Sequence, residues 1–338
     1  MRTVCFRGWV RSQLRSQAQS LFAPIEADLK AVEQRIEAAT NIEPPMLRES
    51  LRHVMLTRGK RIRPALTIAS GKLFREGGAS LNAMAAAVEY LHTATLIHDD
   101  VVDQPELRRG AAALYTMVGN SVALLAGDYL FAQAAATASE TNNLRIMRLF
   151  AESVMTLCAG QIDESARERD DRCLSDRDSY YRTIDAKTAA LFVLACHAGA
   201  ILGEAPTEET NALRHYGRQL GLAFQIVDDI LDLVGDEAVM GKPAGSDLRQ
   251  GLVTLPVIYL RDEVPDELLR QVFAEDGARE DAIQTITSRA RTSRAIDRAY
   301  AEARQLAEDA AQALEGLPPG EHRDLLFELT RTVVDREA

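Results

Sequence analysis

The chain has 338 residues, 46% of them hydrophobic and 26% charged, with a formal net charge of −11 and a sequence pI near 5.2. That much apolar material excludes a disordered chain, and the acidic balance excludes nucleic acid, which is met with basic stripes. Only 5% is aromatic, while Ala and Leu are abundant, so the composition leans towards helix.

The first 25 residues carry Arg2, Arg7, Arg11 and Arg15 and no acid before Glu26. They read as a solvated arm outside the fold, or as an organellar targeting segment. Helix after helix follows. Phe22 to Ala38 places Phe22, Ile25, Leu29, Val32 and Ile36 at helical spacing. Glu43–Met55 has Pro44 and Pro45 suited to a first turn, and Ile62–Phe74 ends at the Gly77–Gly78 pair. Leu81–Asp103 is apolar on nearly every side until its last turn, as a central buried helix must be. Val118–Ser139, Leu144–Asp163, Ala186–Leu202 and Glu208–Leu233 continue the pattern. The tail from Glu267 to Glu337 is amphipathic, with breaks at Gly277 and Leu317–Gly320.

No strand alternation stands out. Two segments read as loops, Glu168–Ser175 and the glycine-bearing Gly235–Gly251. The uncharged stretches Gly110–Gly127 and Thr188–Gly203 are marginal for a bilayer span and read as core, so no transmembrane segment is expected. Cys5, Cys158, Cys173 and Cys196 lack metal spacing and read as reduced thiols of a cytoplasmic protein. The expected architecture is all-α, one large helical bundle over residues 26–338.

Two acidic motifs carry the chemistry. LIHDDVVD holds Asp99, Asp100 and Asp103 at i, i+3 and i+4 spacings that can share one side of a helix. FQIVDDILD repeats the arrangement with Asp228, Asp229 and Asp232. One such cluster is an ordinary solvated helix end; two of equal spacing on core helices imply cations between carboxylates and a polyphosphate. Hard oxygen donors of this kind suit Mg²⁺. Cations cluster near these motifs in an otherwise acidic chain: Arg58, Lys60, Arg61 and Arg63, then Arg108 and Arg109, then Lys187 beside Thr188, then Lys242. Arg suits bidentate oxygen contacts and Lys acts as a point charge. His92 and Gln225, each on an acidic helix, are core residues or anion donors by sequence alone.

GKRIRP, EYLHTATLIHDDVVD, LRRG, LLAGDYL, AKTAALF, FQIVDDILD and GKPAGSDL…TLP stand in order between about Arg58 and Leu260. This series closely resembles the trans-isoprenyl diphosphate synthase (polyprenyl synthetase) family. The resemblance implies an all-α bundle around a central cavity, usually a homodimer, and a prenyltransferase joining isopentenyl diphosphate to an allylic diphosphate. It implies that the six aspartates hold Mg²⁺, about three ions per active site. It places Lys60, Arg63, His92 and Arg109 on isopentenyl diphosphate. Arg108, Lys187, Thr188, Gln225 and Lys242 fall to the allylic diphosphate, with Lys187 also among the catalytic set. Departures are Arg58-Gly59 for a glycine pair, Ala111–Ala113 after LRRG, and Leu252 where many relatives carry lysine.

Alternatives are a short-chain synthase, a subunit of a heteromeric synthase and a terpene cyclase. A cyclase would mix Asn, Ser or Thr with Glu in its second metal motif, whereas DDILD stands here. The face of the Leu81 helix below Asp99 is expected to be Thr95, Ala94 and Leu91. A rise of about 1.5 Å per residue puts Ala94 roughly 7–8 Å below the diphosphate. No bulky aromatic stands at that level, so the expected product is long, about six or more isoprene units (about C30).

Overall fold

The computed structural model describes residues 21–56, 59–108, 110–167, 177–235, 243–273 and 278–335. Helices appear where apolar positions recur every three to four residues: α1 (Glu26–Ala39), α2 (Pro45–Leu56), α3 (Ile62–Lys72), α4 (Ala79–Asp103), α5 (Leu114–Val118), α6 (Asn120–Ser139), α7 (Leu144–Arg167), α8 (Arg177–Ile184) and α9 (Ala190–Leu202). The second half adds α10 (Thr207–Val234), α11 (Ser246–Arg249), α12 (Leu255–Leu260), α13 (Asp266–Arg270), α14 (Ala278–Ala290), α15 (Arg294–Leu314) and α16 (Glu321–Val334). The expected all-α class holds. Among the described residues the sole sheet is a hairpin of β1 (Leu107–Arg108) and β2 (Ala111–Ala112), antiparallel with Leu107 opposite Ala112. Strands of two residues offer no alternation to read from sequence.

α4 lies at the centre, buried at almost every position from Ala83 to Leu91. It packs against α1, α3 and α6, while α10 packs against α9 and α15. Each fully buried Leu, Ile or Val contributes about 1.5–3 kcal/mol by leaving water. Small residues set the closest helix approaches. On α15, Ala295, Ala299, Ala303 and Ala307 form a buried i, i+4 stripe, which lets that helix lie close along α10. Between α3 and α9 the contact is backbone on backbone: a Cβ at Gly199 would stand 2.3 Å from the Thr67 carbonyl oxygen.

Four boundaries differ from the sequence reading. Residues 21–25, assigned to the arm, pack on the core, with Ile25 1% exposed; the arm up to position 20 lies outside the described residues. The helix expected to open at Ala186 begins at Arg177 and runs unbroken to Leu202, through a π turn at Asp185–Ala189. Its polar start, RDSYYR, hid it, although Ser179 and Tyr180 are buried. The second loop contains α11, whose Leu248 is buried with Val257 and Leu260. The tail breaks again between α14 and α15 at Arg291–Ser293, where neither Gly nor Pro marks the turn. By length and composition the helix Arg177–Leu202 could cross a membrane, but 61% of its apolar window is buried. Its partners α3, α7 and α10 cover it.

Gly199 tests the close approach. Alanine in a helix interior is favoured over glycine by about 1 kcal/mol, while overpacking costs about 1–3 kcal/mol or more. Gly199→Ala is expected to lower stability by about 2 kcal/mol, seen as a lower urea midpoint with unchanged slope. A midpoint equal to or above wild type would contradict the packing.

Candidate active site

The central helices both end in aspartates. α4 stops where Gln104 takes a left-handed φ of 52° and its N–H is donated to the Asp100 carbonyl. α10 is buried from Asp229 through Leu233 and stops at Gly235. A helix C-terminus carries the negative pole of the macrodipole, so carboxylates there stand against the local field. Asp99, Asp103, Asp228, Asp229 and Asp232 nonetheless line one cleft of about 940 Å³. The two acidic rows come from two helices, α4 and α10, that both pack on α9.

The first motif does not act as one face. Each residue turns a helix by about 100°, so Asp99 and Asp103 enter the cleft while Asp100, 4% exposed, turns towards the hairpin. Arg108 donates to Asp100 Oδ1 through Nε at 2.6 Å and pairs with it through Nη2 at 2.5 Å. Arg108, expected on the allylic diphosphate, therefore reaches the cleft already held by a carboxylate. His53 of α2 donates to the Ala112 carbonyl at 2.7 Å and fixes the other strand.

In the second motif, a chain of donors orients Asp229. Thr188 Oγ1 donates to Gln225 Oε1 at 2.6 Å, Gln225 Nε2 donates to Asp229 Oδ1 at 2.7 Å, and Tyr180 OH donates to Asp229 Oδ2 at 2.6 Å. Thr188 and Gln225, both expected to touch diphosphate, thus touch each other. Burial pushes Asp229 well above the usual carboxylate range and the charge of Asp247 adds to this, while the Tyr180 and Gln225 hydrogen bonds oppose it. Asp232 Oδ2 accepts the Asp247 N–H at 3.0 Å, which ties α11 to the acidic helix.

Lys187 sits in the π turn, a distortion frequent at functional sites because the extra residue re-aims its neighbours. Gly160 of α7 leaves room for it; a Cβ there would stand 2.7 Å from Ala186 Cβ. Lys187 Nζ pairs with Glu164. Burial would lower its pKa, but Asp99 and Glu164 together hold it above the ordinary value. Desolvation likewise pushes Asp99 up to about 6; Lys187 opposes the shift, and Asp103 and Glu164 reinforce it. Asp103 is raised mainly by the same desolvation.

Lys60, Arg63 and His92 line the cleft, and the Arg63 guanidinium lies 4.8 Å over the Phe192 ring. Arg58, Arg109 and Lys242 lie outside the described residues. Leu252 is in the wall, so an apolar group stands where many relatives carry lysine. Glu164, Tyr180 and Asp247 also line the cleft; sequence reasoning did not single them out. The signal for Asp247 was present in GSDL, but Glu164 and Tyr180 fall between the helices expected over Leu144–Asp163 and Ala186–Leu202, outside any motif. The expected tunnel face is corrected as well. Thr95 and Leu96 line the cleft, whereas Ala94 and Leu91 are fully buried in the core.

The donors are all oxygens, and among the described residues no three His, Cys, Asp or Glu side chains close into a ready-made metal cage. Mg²⁺ takes one or two carboxylates, keeps waters and shares phosphate oxygens, so the spread set fits it. Asp99 fits too, because a cation beside it would offset the burial and like charge that raise its pKa.

The all-α fold thus gathers two rows of aspartates and several cations on one helical cleft. The polyprenyl synthetase family model matches residues 44–290. Heptaprenyl diphosphate synthase component 2 of Geobacillus stearothermophilus is 35% identical over 94% of this chain and 99% of its own length. Octaprenyl diphosphate synthase of Haemophilus influenzae is 32% identical over 92% and 94%. The crystal structure of a polyprenyl synthase from Caulobacter crescentus CB15, complexed with calcium and isoprenyl diphosphate, superposes with a TM-score of 0.89 at 34% identity, covering 95% of this chain and 98% of that one. The chain belongs to the polyprenyl synthetase family and is a prenyltransferase.

The raised Asp99 yields a stability prediction. Its folded pKa of about 6 lies above the unfolded value of about 3.9, so the folded state binds the proton more tightly. Stability is lost as pH rises through that window and the penalty is full above it. In chelator, Asp99→Asn is expected to gain about 1–3 kcal/mol at pH 7.5 and roughly half that at pH 5. Urea unfolding at the two pH values measures it; a variant less stable than wild type at pH 7.5 would contradict the assignment.

Proposed function

We propose that this prenyltransferase is a long-chain, all-trans polyprenyl diphosphate synthase that extends an allylic diphosphate with isopentenyl diphosphate. The observation that carries the reading is one cleft holding two aspartate rows, two sets of cations and an apolar wall including Leu96, Leu191 and Phe224. Asp99, Asp103 and Asp228, with Asp232 beside them, hold about three Mg²⁺ around the allylic diphosphate. Bound Mg²⁺ supplies Lewis-acid stabilisation of the leaving diphosphate. Lys187 adds a point charge to the same oxygens. Asp229 keeps Gln225 and Thr188 in place, and Asp100 keeps Arg108 in place. Lys60, Arg63 and His92, with Arg109, bind the second diphosphate.

The C–O bond of the allylic substrate breaks, and its electron pair leaves with diphosphate. The isopentenyl double bond attacks the allylic carbon, and the proton lost from the new chain passes to the released diphosphate. Leu191 and Phe224 exclude water that would quench the cation.

Product length of about C30 or more rests on the absence of a bulky side chain below Asp99, where Thr95 and Leu96 line the wall, and on relatives named heptaprenyl and octaprenyl synthases. Homodimer formation is supported by exposed apolar side chains on α6 and α7, among them Leu125 at 66% and Ile162 at 71% exposure. The name "component 2" in one relative favours a second reading, a catalytic subunit that needs a partner. The free thiols Cys158 and Cys196 agree with a reducing, cytoplasmic setting.

Activity of the purified chain alone, with labelled isopentenyl diphosphate, separates the two readings: turnover supports self-sufficiency and its absence supports the partner. Asp99→Ala and Asp228→Ala are each expected to cut turnover by orders of magnitude, and the double variant to be little worse than either, because the two rows act on one anion. Near-normal turnover of either at limiting Mg²⁺ would contradict the shared site. Thr95→Phe is expected to shift products towards fifteen or twenty carbons (about three or four isoprene units), since the ring would fill the wall about 6 Å below Asp99. An unchanged long product, by chromatography of the dephosphorylated alcohols, would remove Thr95 from the tunnel.

A further inference from the structure

Between Lys60 and Arg63, both on the cleft, stands an arginine that does something else. Arg61 precedes α3 with a left-handed backbone, φ 49° and ψ 33°, a conformation that favours glycine and is costly for a side chain. Such strain persists only where the surroundings over-determine it. Here they do. Arg61 Nε donates to Glu33 Oε1 at 2.6 Å, Nη1 to Glu89 Oε1 at 2.6 Å, and Nη2 to the Met55 carbonyl at 3.0 Å. Those partners belong to α1, α4 and α2. One guanidinium therefore ties three helices to the entrance of the fourth. Its side chain is 12% exposed and Glu89 only 3%. Charge on both partners keeps Arg61 ionised, and its planar fork is committed to protein oxygens.

The location gives the clamp a function. Glu89 is three residues before His92 on α4, hence on the same face, and both border the cleft. The Arg61–Glu89 pair thus locks the turn bearing Lys60 and Arg63 to the helix bearing His92. We infer that Arg61 and Glu89 are positioning residues that hold Lys60 and Arg63 in register with His92 and so set affinity for one of the two substrates, isopentenyl diphosphate, without touching it. Glycine would relieve the backbone but leave the register unset, which accounts for arginine at a left-handed position. The inference rests on the assignment of those three residues to isopentenyl diphosphate.

The test is steady-state kinetics of the full chain with each substrate varied in turn. Glu89→Gln keeps size and removes charge; Arg61→Gln removes the fork; circular dichroism and thermal melting report folding. Each single variant is expected to raise KM for isopentenyl diphosphate about tenfold while changing the allylic KM less than twofold. The double variant is expected to match the worse single, because the pair acts as a unit. Arg61→Lys, which keeps charge without the fork, is expected to fall between. If Arg61→Gln does not fold, Glu89→Gln decides alone. Folded variants with unchanged isopentenyl KM, or with equal changes in both KM values, overturn the clamp and leave the functional reading intact. A wild type that neither condenses nor binds isopentenyl diphosphate, by calorimetric titration, overturns the functional reading and the clamp with it.

Discussion

Repulsion between carboxylates at the ends of two central helices is the constraint on which the site depends. Asp99 and Asp103 end α4, Asp228 to Asp232 end α10, and both sit where the macrodipole is already negative. No arrangement chosen for stability alone would gather them in a desolvated cleft. The cost is visible in Asp99, held up to about 6 by burial, and in Asp229, which burial also pushes well above the usual carboxylate range. Functional sites commonly carry such costs, offset by packing elsewhere. Here α3 and α6 pack on α4, α15 packs on α10 along its alanine stripe, and α9 packs on both.

Neutral donors manage part of that charge. Tyr180 and Gln225 fix both oxygens of Asp229, and the Asp247 backbone holds Asp232. Arg108 neutralises Asp100 on the far side of α4. Asp99, Asp103, Asp228, Asp229 and Asp232 all line the cleft beside Lys187, Lys60 and Arg63. Within each motif the aspartates therefore differ in surroundings: Asp100 is paired with Arg108, and Asp229 and Asp232 accept hydrogen bonds from Tyr180, Gln225 and the Asp247 backbone. In an acidic protein, the side-chain cations Lys187, Lys60 and Arg63 stand on the same cleft as the carboxylates.

The fold was legible because helical periodicity is dense and strands are nearly absent. The six aspartates were legible through equal spacing on apolar helices. The division among them was not, because spacing gives a face only to within a turn, and Asp100 and Asp99 differ by one residue. Arg108 and Thr188, expected on the allylic diphosphate, line the cleft, but their protein partners come from residues 8 and 37 positions away, which no local pattern encodes. The same holds for Glu164, Tyr180 and Glu89, whose roles arise from packing. Ala94 was misplaced for a related reason: counting residues below Asp99 gives depth but not which side of a fully buried helix meets the cavity.

The central claim is that the two acidic rows bind a diphosphate only through divalent cations. Calorimetric titration of inorganic pyrophosphate into the protein, with saturating Mg²⁺ and in chelator, tests it most directly. The account predicts saturable binding with Mg²⁺, lost in chelator and lost with Mg²⁺ when Asp99 and Asp228 are both changed to asparagine. Pyrophosphate bound equally well in chelator would contradict it.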